Sequence, residues 1–264
     1  MKDLTAIAAV NALIAAIIGY EAWIGHYRSG FVRAEQWIAP SLAAALFVAG
    51  TLAAAIPSYR PAAIVLEWAG LTGVAGGALG LAYHHWFGMV KAPGGYRLAL
   101  HHSMYGAPPL APLALSEAGA LAFIVARELR GTWPVPGLSV VNALLIVSLI
   151  GLAGALAQTA LLHYRGAFNT PYMYLPFGAP VLALIAGAWY LTQPGAASTG
   201  VFRGTLILTF LTGVIGLGLH LRGLDRQMAG LHVPLFNVLQ GPPALAPAFI
   251  SAVAAIALLA LALQ

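Results

Sequence analysis

The chain has 264 residues, 61% of them hydrophobic and only 7% charged, with a net charge of +5 and no cysteine. A soluble globular domain normally carries about a quarter charged residues, so this composition excludes one and places the chain in lipid. The 12 Lys and Arg are spread among the connections rather than clustered, which argues against a nucleic-acid partner. The absence of cysteine removes disulfides, thiolate metal sites, iron–sulfur clusters and covalent c-type haem attachment.

Apolar runs bounded by Pro, Gly and charged residues fall at about 4–25, 38–56, 62–83, 108–127, 137–162, 176–193, 202–221 and 243–263. Each is long enough to cross a bilayer as a helix and far too long for a barrel strand. The predicted fold class is therefore all-α integral membrane, with eight transmembrane helices and no separate soluble domain. The first run follows Met1-Lys2-Asp3 without a strongly basic leader or a clear cleavage site before its polar end at Glu21 to Arg28, so it is expected to be retained. An even number of crossings puts both termini on one side, with short connections near Pro57, Glu128 to Pro136 and Pro194 to Val201. The other side carries the longer loops, 26–37, 84–107, 163–175 and 222–242.

Two short motifs recur at nearly one offset. His26-Tyr27-Arg28-Ser29-Gly30-Phe31 is echoed by His163-Tyr164-Arg165-Gly166-Ala167-Phe168, an offset of 137 (163 − 26). Gly106-Ala107-Pro108-Pro109-Leu110-Ala111-Pro112 is echoed by Gly241-Pro242-Pro243-Ala244-Leu245-Ala246-Pro247, an offset of 135 (241 − 106). The pattern predicts an internal duplication, 1–132 and 133–264, as a 4+4 bundle in parallel orientation. Within each half the hairpins also resemble one another, which makes four quasi-equivalent helical hairpins.

All eight histidines fall on the long-loop side. At an offset of 135, His85 pairs with His220, so His26, His85, His163 and His220 are expected at equivalent helix ends, with His84, His101, His102 and His232 in the loops. Imidazole is the commonest protein ligand for metals and the usual axial ligand of b-type haem. His26, His85, His163 and His220 are the candidate cofactor ligands, and the pairs His84-His85 and His101-His102 around Gly94-Gly95 are the candidate metal cluster. The competing reading makes them interface anchors and caps of free helix-end carbonyls. The pattern lacks the His-Glu-x-x-His signature and closely spaced histidine boxes.

Acids inside spans are expensive and mark proton paths or buried partners. Glu21 and Gln158 stand five positions before His26 and His163, and Glu21 is expected to bond Gln158 or Tyr20. Glu117 lies about two turns inside the fourth helix and suits a proton relay or a pair with Arg97. Glu21 and Glu117 are thus the candidate proton-handling, catalytic groups. Glu67, beside Trp68, is expected to snorkel towards Arg60. Gly73, Gly76, Gly77 and Gly80 in the third helix, with Gly213, Gly216 and Gly218 in the seventh, are expected to put these two helices at the centre.

The higher density of basic residues on the short-loop side places both termini in the cytoplasm and the histidines outside. No dinucleotide fingerprint, phosphate loop or nucleophile elbow occurs, so the sequence leaves open whether the chain is an enzyme. The function expected is a membrane subunit of a redox or electron-transfer assembly. Its histidine face would bind b-type haem or a metal ion, or meet a quinone lined by the aromatic residues there, and its partners would be the lipid bilayer and other membrane or extracytoplasmic subunits. The alternatives are a small-solute or ion permease lined by Glu21 and Gln158, and a structural scaffold of a membrane complex.

Overall fold

The computed structural model describes residues 2–133, 135–227 and 229–264; Met1, Pro134 and Met228 lie outside them. The secondary structure of the described residues is helical, with no strand among them. The helices are α1 (Lys2–Arg28), α2 (Ile38–Ala55), α3 (Arg60–His85), α4 (Ala99–Tyr105), α5 (Ala111–Leu129), α6 (Val140–Arg165), α7 (Leu175–Thr192), α8 (Ala196–Asp225), α9 (Pro234–Gln240) and α10 (Ala246–Ala262).

Eight of these fall on the eight apolar runs. Six, taken with their adjoining turns, are long and apolar enough to cross a membrane: those built on α1, α2, α3, α6, α7 and α8. The other two, α5 with 19 residues and α10 with 17, are deeply packed. A multi-pass helical membrane protein is the class these helices define. Local chemistry sets several boundaries. Ser139 accepts a bond from Asn142 N–H at 3.1 Å and starts α6 slightly later than the apolar run. Consecutive prolines hold α5 back to Ala111, and α8 starts well before its apolar run, at Ala196, with the Ser198 hydroxyl donating to the Gln193 and Gly195 carbonyls.

The centre differs from the expectation. A ring of α1, α5, α6 and α10 forms the core, each packed on its two neighbours, while α3 and α8 flank it. The glycine stripes make tight pairs rather than a centre. A Cβ at Gly77 would run into Ser116 and the Pro112 carbonyl, and one at Gly213 into Ser251 and the Pro247 carbonyl. Glycine therefore lets the α3 backbone approach α5, and that of α8 approach α10, closely enough that Ser116 bonds Val74 O (3.1 Å) and Ser251 bonds Phe210 O (2.8 Å). Of the six long apolar helices, α8 is the least covered by the rest of the chain.

Contacts recur along the chain at a drifting offset. Gly50 meets Ala12 as Gly187 meets Leu149, an offset of 137 for both partners (187 − 50 and 149 − 12). Gly80 meets Pro112 as Gly216 meets Pro247, at 136 for the glycines (216 − 80) and 135 for the prolines (247 − 112). The short helices α4 and α9, which fall within the predicted long loops, start at Ala99 and Pro234, again an offset of 135 (234 − 99).

Candidate functional site

The ends of α1 and α6, which carry His26 and His163, each turn back through an aromatic residue. Phe31 and Phe168 follow these helices with φ of 48° and 47°, the left-handed region that a bulky side chain enters only when its surroundings hold it there. The holding contacts match. Phe31 stacks on Trp37 at 4.1 Å and meets the His26 ring edge-on at 5.9 Å; Phe168 stacks on Tyr174 at 4.7 Å and meets His163 edge-on at 6.2 Å. Phe177 adds a second edge contact to His163 at 6.1 Å.

A second histidine completes each cluster. The rings of His26 and His84 lie 6.3 Å apart at 69°, and His220 is an electrostatic neighbour of His163. His84 Nδ1–H donates to Pro108 O at 2.8 Å, and His220 Nδ1–H donates to Pro243 O at 2.7 Å. A carbonyl only accepts, so both rings carry their hydrogen on Nδ1 and keep the Nε2 lone pair free. His163 is fixed in the same tautomer by Met173 O at 2.7 Å. The pairing of His85 with His220 is thus replaced by His84 with His220. The offset in the third helix is 136 (220 − 84), one more than in the proline motif, and a shift of one position turns a helical side chain by about 100°.

The loop cluster does not assemble. His84 turns inward, whereas His85 hydrogen-bonds Tyr96 through Nε2. His101 and His102 stand edge to face at 5.7 Å, and His102 Nε2–H donates to Pro93 O at 3.0 Å. Among the described residues no group of three or more His, Asp or Glu gathers to hold a metal ion.

Glu21 and Gln158 do not meet. Glu21 Oε1 accepts from Leu245 N–H at 2.6 Å, and Gln158 Oε1 accepts from Leu110 N–H at 3.2 Å. Leu245 and Leu110 are the residues that open α10 and α5. Each polar side chain therefore satisfies a free N–H of a helix start on a neighbouring helix, a cap supplied from across the bundle. Glu67 is buried and reaches two guanidinium groups of the α5 end rather than Arg60: Arg127 at 3.1 Å, and Arg130. Glu117 has no ion pair with Arg97; it is 6% exposed, and neither carboxyl oxygen has a partner.

Comparison with protein-family models, curated proteins and solved structures returns no match.

Proposed function

We propose that the chain crosses the membrane eight times as two parallel four-helix repeats, 1–132 and 133–264, and serves as a subunit of a membrane redox assembly. Its ligand-holding groups are two equivalent histidine pairs, His26 with His84 and His163 with His220. The observation carrying this reading is the tautomer lock. Metal-ligating histidines characteristically donate the other ring N–H to a carbonyl or carboxylate, which orients the ring and raises its basicity, and His84, His163 and His220 all do so. The 6.3 Å between the His26 and His84 rings leaves room for one ion at about 2.0–2.1 Å from each nitrogen. The remaining coordination positions would come from a ligand, a b-type haem or a partner subunit. Basic residues are denser along the short connections, which supports a cytoplasmic location for both termini and an outer location for the histidine pairs.

Oxidised and reduced absorption spectra with elemental analysis of gently purified protein test the reading. The expected content is two equivalents of iron, copper or zinc, with a Soret band if the iron is in haem. His84→Ala or His220→Ala is expected to remove one equivalent and the double substitution both. A colourless, metal-free protein, or content unchanged in the double variant, refutes it.

A further inference from the structure

The core ring holds a polar layer that the histidine pairs do not use. Glu117 on α5 lies against Gly151 on α6, where a methyl group would occupy the space of the carboxyl. Ser148, 1% exposed, is one turn from Gly151 on the same face of α6, and its hydroxyl has no partner. Asn11 on α1, 2% exposed, donates Nδ2–H to the carbonyl of Ala118, the residue after Glu117, at 3.0 Å and leaves Oδ1 unpaired.

Three packed helices thus hold four unpaired polar atoms within about one turn of the Glu117–Gly151 contact. Both carboxylate oxygens and Asn11 Oδ1 only accept, three acceptor atoms against two donor hydrogens, the Ser148 hydroxyl and the second Nδ2–H of Asn11. The layer is short of hydrogen. No cation answers it either: the ion pairs among the described residues both belong to Glu67. A carboxylate buried in this way without a partner is strongly disfavoured against its neutral form. A proton on the carboxyl removes the charge and supplies the missing donor.

We propose that Glu117, with Ser148 and Asn11, forms an intramembrane proton-binding site at the contact between the two halves. The site is single in a recurring frame. At the drifting offset, the position equivalent to Glu117 is Ala252 and that equivalent to Gly151 is Ile14, so the second copy has neither the acid nor the gap. One chain therefore carries one such proton. The site shares no residue with the histidine pairs, so either can fail without the other.

Infrared spectroscopy of the full chain in lipid nanodiscs tests it. The wild-type minus Glu117→Gln difference is expected to contain one protonated-carboxyl C=O band that downshifts in heavy water and persists at neutral pH. Glu21→Gln is expected to leave that band in place. Loss of ionised-carboxylate bands instead overturns the proposal, as does a band abolished at constant pH by sodium, which would make the occupant a metal cation. If Glu117→Gln fails to assemble, dicyclohexylcarbodiimide on the wild-type chain decides the matter. The reagent attacks protonated carboxyls in apolar surroundings: the carboxyl oxygen bonds the carbodiimide carbon, the proton passes to its nitrogen, and the acyl group then shifts to nitrogen with nothing lost. One adduct mapped to Glu117 is expected, and an unlabelled Glu117 refutes the site.

Discussion

Replacing Glu67 by Gln removes one negative charge from between two guanidinium groups and leaves the packing volume nearly unchanged. The Glu67 side chain is 11% exposed, and those of Arg127 and Arg130 are 25% and 19% exposed. Deleting one member of a fully buried ion pair costs about 3–5 kcal/mol. Partial water contact at the two arginines lowers this, and Arg127 keeps its bond to Thr132 O at 2.9 Å, so the expected loss is about 2–4 kcal/mol. For a chain of this size that corresponds to roughly 6–12 °C in unfolding midpoint. Thermal unfolding in lipid–detergent micelles, followed by circular dichroism, measures it. Glu67→Gln combined with Arg130→Gln should cost about 1 kcal/mol or more less than the sum of the single changes, because the double variant leaves one guanidinium, Arg127, without its carboxylate where Glu67→Gln alone leaves two. A Glu67→Gln midpoint within about 2 °C of wild type would refute the view that this pair ties α3 to α5.

Gly77→Ala and Gly213→Ala each place a methyl group against backbone and a serine hydroxyl on the facing helix; each is expected to cost about 1–3 kcal/mol in the same assay, with Gly204→Ala, in open space, near neutral. Glu21→Ala and Gln158→Ala each remove a cap from a neighbouring helix start and should cost about 1 kcal/mol, whereas Glu21→Gln, which keeps an acceptor oxygen, should cost less. If Glu21→Ala abolished a proton-coupled activity while leaving stability intact, the capping role would be wrong. Substituting Trp37 by Ala frees Phe31 from its stack and is expected to weaken ligand binding at the first histidine pair, read as a lower metal content, while the second pair keeps its equivalent.

The eight long helices were legible because a run of apolar residues bounded by Pro and charge needs no tertiary knowledge. The short helices α4 and α9 were not: at 7 residues each, they are below the length at which helical periodicity rises above loop composition. The motifs around His26 and Pro108 located both histidine-bearing ends, yet choosing between His84 and His85 required the offset to be known to a single position, and it drifts by two along the chain. The glycine stripes announced close approach correctly but could not say to which helix. Glu21 and Gln158 were found as equivalent polar positions, but their partners are backbone N–H groups at sequence separations of 224 and 48, and every residue but proline offers such a group. Glu67 and its arginines were all visible; the pairing depends on α3 lying along α5, which no local pattern encodes.

The caps donated by Glu21 and Gln158 also bear on how the protein is made. Glu21 belongs to α1, the first of these helices to leave the ribosome, and closes the start of α10 at Leu245, while Gln158 reaches back to close the start of α5 at Leu110. Neither of these two helix starts is closed by a helix from its own half of the sequence. An intermediate halted after α5 would hold the Leu110 N–H uncapped, and one halted after α9 would still have Glu21 waiting. Glu21 therefore gains its partner only once α10 has packed against α1.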